Sequence, residues 1–73
     1  MIENAHVRAE RARLQAEWDA GEAEGFSANV NVLPEFYFRP YSSLHARQRG
    51  YIFGRELQLQ EIARKATNEL QRS

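Results

Sequence analysis

The stretch ENAHVRAERARLQAEWDAGEAE, residues 3–24, decides the fold class. It holds no proline, alanine recurs throughout, and its first glycine is Gly21, so nothing interrupts a helix along it. Val7, Leu14, Trp18 and Gly21 follow one another at intervals of seven, four and three and so share one side. Ala5, Ala9, Ala12, Ala16, Ala20 and Ala23 hold the opposite side, and Glu10 with Arg13 can pair on a flank. Two sides without bulky charge predict one packed on the domain and the other meeting a second helix closely. Val7, Leu14 and Trp18 are expected to face a C-terminal helix near Leu59 and Ile62, which would bury Trp18. Glu17, Asp19, Glu22 and Glu24 crowd the C-terminal end, where the helix dipole favours cations. A basic partner surface would account for that placement.

Beyond Gly25, residues 26–41 read as extended structure. Asn29-Val30-Asn31-Val32 alternates polar with apolar, and Phe36-Tyr37-Phe38 resumes with strand-favouring aromatics. Pro34 and Pro40 each remove a ladder donor, so a strand here is short and lies at an edge. Residues 43–71 read as helical again. Ser42 or Ser43 serves as N-cap, Gly50 and Gly54 divide a short helix at 43–49 from a longer one starting about 51, and Ile52, Leu59, Ala63, Ala66 and Leu70 form its apolar stripe. The chain is therefore expected to be α-rich with a minor β component. A long N-terminal helix, a short strand or hairpin, and a C-terminal helix packed across the first make one domain over 1–73.

Seventy-three residues without cysteine cannot be stapled by a disulfide or a cysteine-ligated zinc, and a domain this short buries only about 60 % of its unfolded surface. Helix packing, an oligomer interface or a larger partner must supply the rest. No apolar run approaches a membrane span, and Met1-Ile2-Glu3-Asn4 lacks the apolar start of a signal peptide, so a soluble cytoplasmic protein is expected. Nine arginines against the single Lys65 fit either bidentate recognition or the codon usage of a GC-rich genome.

Candidates for chemistry are sparse. His6 and His45 are the only histidines, and no HExxH or His-x-x-His spacing joins them, so no metal is expected. Ser42-Ser43 beside His45 places a hydroxyl near a base, but serine ahead of a helix is a capping residue. Gly50-x-x-x-Gly54 lacks the Gly-Lys-Ser/Thr ending of a phosphate loop and reads as a hinge or a site of close helix approach. With no acid, base and pocket assembled, neither an enzyme nor a cofactor is expected.

The middle of the chain reads as a contact surface. Seven of the eight aromatics lie between Phe26 and Phe53. Residues 17–35 contain five acids and no base, whereas residues 39–55 contain four arginines and no acid, so the zero net charge is only a sum. Aromatic and arginine side chains dominate interface energetics and stack on bases. If Phe36 and Phe38 point inward with Ile52 and Phe53, strand alternation exposes Tyr37. The partner is expected on Tyr37, Arg39 and Tyr41, with Arg47 and Tyr51 adjacent and Glu22 and Glu24 at the rim. Zero net charge without a continuous basic track predicts weak binding to free nucleic acid.

Two resemblances follow. Gly21-Glu22-Ala23-Glu24-Gly25-Phe26, then Pro40-Tyr41, then Arg49-Gly50-Tyr51-Ile52-Phe53-Gly54-Arg55-Glu56 resembles the layout of the ribosome modulation factor family. That family has an aromatic and glycine repeat in a first helix, a Pro-Tyr or Pro-Phe turn, and an aromatic-x-x-Gly-aromatic-Arg-Glu stretch in a second helix. The resemblance covers about half the chain and implies ribosome binding; this chain is neutral where that family is basic, and it inserts Asn29 to Arg39 before the turn. In size and character the chain is also similar to small phage-encoded RNA polymerase-binding transcription regulators, such as an inhibitor and antitermination protein of a Xanthomonas phage. That likeness implies a mixed-charge protein-binding surface acting in the host cytoplasm. The charge layout favours RNA polymerase as partner, with a ribosome-binding factor, or a helical dimerisation module using the alanine side, as alternatives.

Overall fold

The computed structural model of the protein describes residues 4–72. Helix α1 runs Ala5–Ser27 and helix α2 runs Ala46–Arg72, joined by a linker that contains two 3-10 turns, Glu35–Phe38 and Tyr41–Ser43. The α-rich class read from the sequence is what forms. Glu3, taken above as the first helical residue, lies outside the described residues. Asn4 caps α1, its side chain accepting from the Val7 N–H at 2.8 Å. The helix passes Gly21 and Gly25 and stops where Ala28 turns extended, at φ −71° and ψ 156°.

The glycines explain how the helices meet. A methyl carbon added at Gly21 would strike the Arg47 carbonyl oxygen, and one at Gly25 would strike that of Tyr51. From the other side, a methyl at Gly50 would strike the Trp18 carbonyl and one at Gly54 that of Glu22. Four residues forward on α1 is thus four residues forward on α2, so the two helices run parallel, in backbone contact through two G-x-x-x-G edges. At that range Cα–H groups meet carbonyl oxygens and dispersion is gained without any side chain being ordered. Gly50 and Gly54 therefore do not divide the second helix: α2 is continuous, and the expected break near residue 50 is where the other helix fits.

The contact joins the C-terminal part of α1 to the N-terminal part of α2, so the rest of each helix projects beyond the other in opposite directions. The molecule measures 57 × 28 × 17 Å, and its radius of gyration is 16.4 Å. A compact domain of this length would have about 11 Å.

No strand forms among the described residues. Pro34 and Pro40 leave the aromatic run no full set of ladder donors, and neither helix offers an edge to pair with. The backbone satisfies itself locally instead: Tyr37 N–H donates to the Pro34 carbonyl and Arg39 N–H to that of Phe36, each at 3.0 Å. With three residues per turn the expected alternation fails. Phe38 is 76 % exposed, Tyr37 is half-buried, and Phe36 lies edge-on to Tyr51 at 5.4 Å. Trp18 does not reach Leu59 or Ile62, both of which are exposed; it packs half-buried on Phe53, ring centroids 5.0 Å apart. Among the described residues Leu44 is the one buried large apolar side chain.

Candidate functional site

The linker returns along the helix pair from the level of Gln58 to the start of α2, and named side chains fix its course. Arg55 is 2 % exposed and donates from Nη1 to the Asn29 carbonyl at 2.8 Å and from Nη2 to the Val30 carbonyl at 2.6 Å. Gln58 donates to the Ala28 carbonyl. Further on, the Arg49 guanidinium lies over the Tyr41 ring, 4.8 Å from its centroid. Ser43 does not cap α2, because its hydroxyl donates back to the Pro40 carbonyl at 2.7 Å. His45 takes that role: its Nδ1 accepts from the Gln48 N–H at 3.4 Å, while Gln48 Oε1 accepts from the His45 N–H at 3.2 Å, a reciprocal cap. The Ser43 hydroxyl and the His45 imidazole are thereby each engaged with backbone rather than with each other. Among the described residues no three His, Asp or Glu side chains converge to hold a metal.

The interface expected as one patch is divided between two grooves. The first, about 320 Å³, is lined by Glu24, Pro34, Phe36, His45, Arg47, Gln48 and Tyr51. Here the Arg47 guanidinium pairs with the Glu24 carboxylate across the helix crossing. That hydrogen bond, more than simple charge attraction, holds the Glu24 carboxyl below its ordinary 4.5 and raises the Arg47 guanidinium. The second groove, about 600 Å³, lies where α1 runs past the start of α2 and is lined by Arg11, Leu14, Gln15, Trp18, Tyr41, Ala46 and Arg49.

Of the expected contact residues, Glu24, Arg47 and Tyr51 therefore meet in one groove, and Tyr41 stands in the other, 57 % exposed. Arg39 is exposed and reaches back to Glu35 at 3.5 Å within the 3-10 turn; neither it nor Tyr37 lines either groove. Glu22 is half-buried, its carbonyl taken up by the close approach of Gly54. Sequence reasoning missed Arg11, Leu14, Trp18 and Arg49 as groove residues, because it placed the helices crossing near Leu59 rather than at Gly50. The equal spacing of Gly21 with Gly25 and of Gly50 with Gly54 was the available signal. No helix of the described residues is long and apolar enough to cross a membrane.

A scan against protein-family models and searches of curated proteins and of solved structures found no match to this chain.

Proposed function

We propose that this chain is a non-enzymatic binding protein that docks on a large gene-expression machine, the ribosome first. The supporting observation is that the residues carrying the resemblance to the ribosome modulation factor family act as one unit. Gly21, Gly25, Gly50 and Gly54 make the helix crossing, Pro40-Tyr41 opens the turn that sets Tyr41 beneath Arg49, and Arg55 holds the linker. Residues matched by letters alone, scattered over 35 positions, have no reason to converge on a single contact. The grooves beside that contact present guanidinium and aromatic groups suited to binding rather than to turnover.

A second reading, RNA polymerase as the target with inhibition or antitermination as the effect, is favoured by one different observation. Asp19, Glu24 and Glu35 stay exposed beside the arginine-rich half, a two-signed surface better suited to protein than to RNA. Either target places the chain in the cytoplasm. One experiment separates them: the tagged chain is run with bacterial lysate through a sucrose gradient, and its fractions are probed. Co-sedimentation with ribosomal particles, lost in Tyr41→Ala/Arg49→Ala, is the expected result. A chain absent from those fractions but recovered with RNA polymerase subunits would overturn the first reading in favour of the second. Free duplex DNA or RNA is expected to bind weakly on both, since the basic residues form no continuous track.

A further inference from the structure

We propose that the protein forms a weak twofold-symmetric homodimer in which α2 pairs antiparallel with α2 of a second copy, along the stripe Ile52, Glu56, Leu59, Ala63, Ala66 and Leu70. This is independent of which machine the protein binds.

The argument begins with where that stripe points. Gly50 and Gly54 turn toward α1, and at about 100° per residue the stripe lies on the opposite side of α2. Gly25 meets Tyr51 and Arg55, so α1 ends near the level of Leu57, and residues 59–72 of α2 run on past it. A helix of fewer than about 12–15 residues is marginal in water by itself, so this arm gains from a neighbour. Along it Leu59 is 48 % exposed, Ile62 47 % and Leu70 75 %, and Ala63 and Ala66 are exposed as well.

The symmetry of the stripe is what makes a second copy the neighbour. Its positions are spaced four, three, four, three and four, the heptad repeat of a helix seam, and that series reads the same in either direction. A copy turned end for end about an axis beside Glu61 sets Ile52 against the partner's Leu70, Glu56 against the partner's Ala66 and Leu59 against the partner's Ala63. The reverse contacts form at the other end, as an isologous interface requires. Leu59 and Glu56 thus each face an alanine, a large side chain opposite a small one. At the axis Gln60 and Ile62 flank the stripe and each meets its own copy. Both are uncharged, and an amide can donate to and accept from its twin. Glu61, Arg64 and Lys65 keep to the solvent side. A parallel pair would instead set Glu56 against Glu56, like charge on like. From Ile52 to Leu70 the contact is about 27 Å long. One helix pair of that length offers less than the about 800 Å² that a standard interface takes from each partner. Dissociation at about 10–100 µM is therefore expected, and the dilute chain is the monomer described above.

Sedimentation equilibrium of the full chain over a concentration series tests the proposal. The wild type is expected to pass from one chain mass to two across that range. Leu59→Glu and Ala63→Glu should each weaken the dimer about tenfold or more, Glu56→Ala should tighten it about threefold, and Lys65→Glu, on the solvent side, should leave it within about twofold. Circular dichroism of dilute samples confirms that each variant keeps its helices. The chain has no cysteine, so a spin label at Gln71→Cys reads the direction of pairing. Antiparallel helices hold the two labels about 30 Å apart along their axes. A wild type that stays monomeric up to about 500 µM overturns the proposal. So does a dimer indifferent to both Leu59→Glu and Ala63→Glu, or a label separation below about 20 Å, which marks a parallel pair.

Discussion

The helix crossing and the projecting arms of the same two helices are held by opposite means. At the crossing, between residues 18–25 and 47–55, the backbones touch because four side chains are absent. In the arms the side chains are present and stay exposed: Val7 and Leu14 on α1, and Leu59, Ile62 and Leu70 on α2. The difference teaches where the stability of this chain resides. Adding a carbon should be ruinous at the crossing and nearly neutral in the arms, the reverse of what a helix-propensity scale would suggest.

The most severe test is Gly54→Ala. In an isolated helix the change favours folding by about 1 kcal/mol. Here the new methyl meets the Glu22 carbonyl oxygen, which belongs to a helix and cannot move aside alone. Net destabilisation at or above the upper end of the usual 1–3 kcal/mol for overpacking is expected, enough to lose the cooperative thermal transition. A variant melting at or above wild type would show that the helices are not in backbone contact.

Next comes Arg55→Met, which keeps the stem and removes the two charged hydrogen bonds to Asn29 and Val30. A loss of about 1.5–3 kcal/mol is expected by urea titration, with faster amide exchange in the linker and little change in helix content. Equal exchange in both proteins would mean the linker is held by something other than Arg55. In the arms, Leu70→Gln should change stability by less than about 0.5 kcal/mol, because Leu70 is already 75 % exposed. A larger loss would reveal a covering partner for that arm.

The smallest effect belongs to Glu24. Its carboxyl is held below the ordinary 4.5 by Arg47, so its contribution is fully present above that value and fades as pH falls through the lowered one. Glu24→Gln should therefore lower the melting temperature slightly at neutral pH, and the gap to wild type should close in acid. A gap that persists in acid would assign the loss to packing in the groove rather than to the charge pair.

Much of this was legible in the residues, and the failures have two causes. The two long helices follow from alanine content and from prolines confined to the linker. Of the residues expected at the contact surface, Glu24, Arg47 and Tyr51 line one groove. The direction of the second helix was not legible, since the eighteen residues between the helices are long enough for parallel or antiparallel pairing. Once α2 is set parallel and shifted along α1, Trp18 falls beside Phe53, Arg11 and Tyr41 line one groove, and Leu59, 48 % exposed, lies beyond the end of α1. The linker was misread because alternation in Phe36-Tyr37-Phe38 presumes a neighbouring strand, and Pro34 and Pro40 leave the segment to coil on itself.

The parallel arrangement also has a consequence for how such a chain can vary through descent. Connecting helices that point the same way obliges residues 28–45 to travel back about 20 Å, from the level of Gln58 to His45. Eighteen residues can extend to about 60 Å, so the return is slack, and the surplus is wound into the two 3-10 turns. Each doubling of a loop adds only about 0.6 kcal/mol of closure entropy. Related sequences should therefore gain and lose residues freely between Asn31 and Arg39, while tolerating no change of length between Gly21 and Gly25 or between Gly50 and Gly54. Aligning them calls for a gap-tolerant middle and two rigid five-residue words.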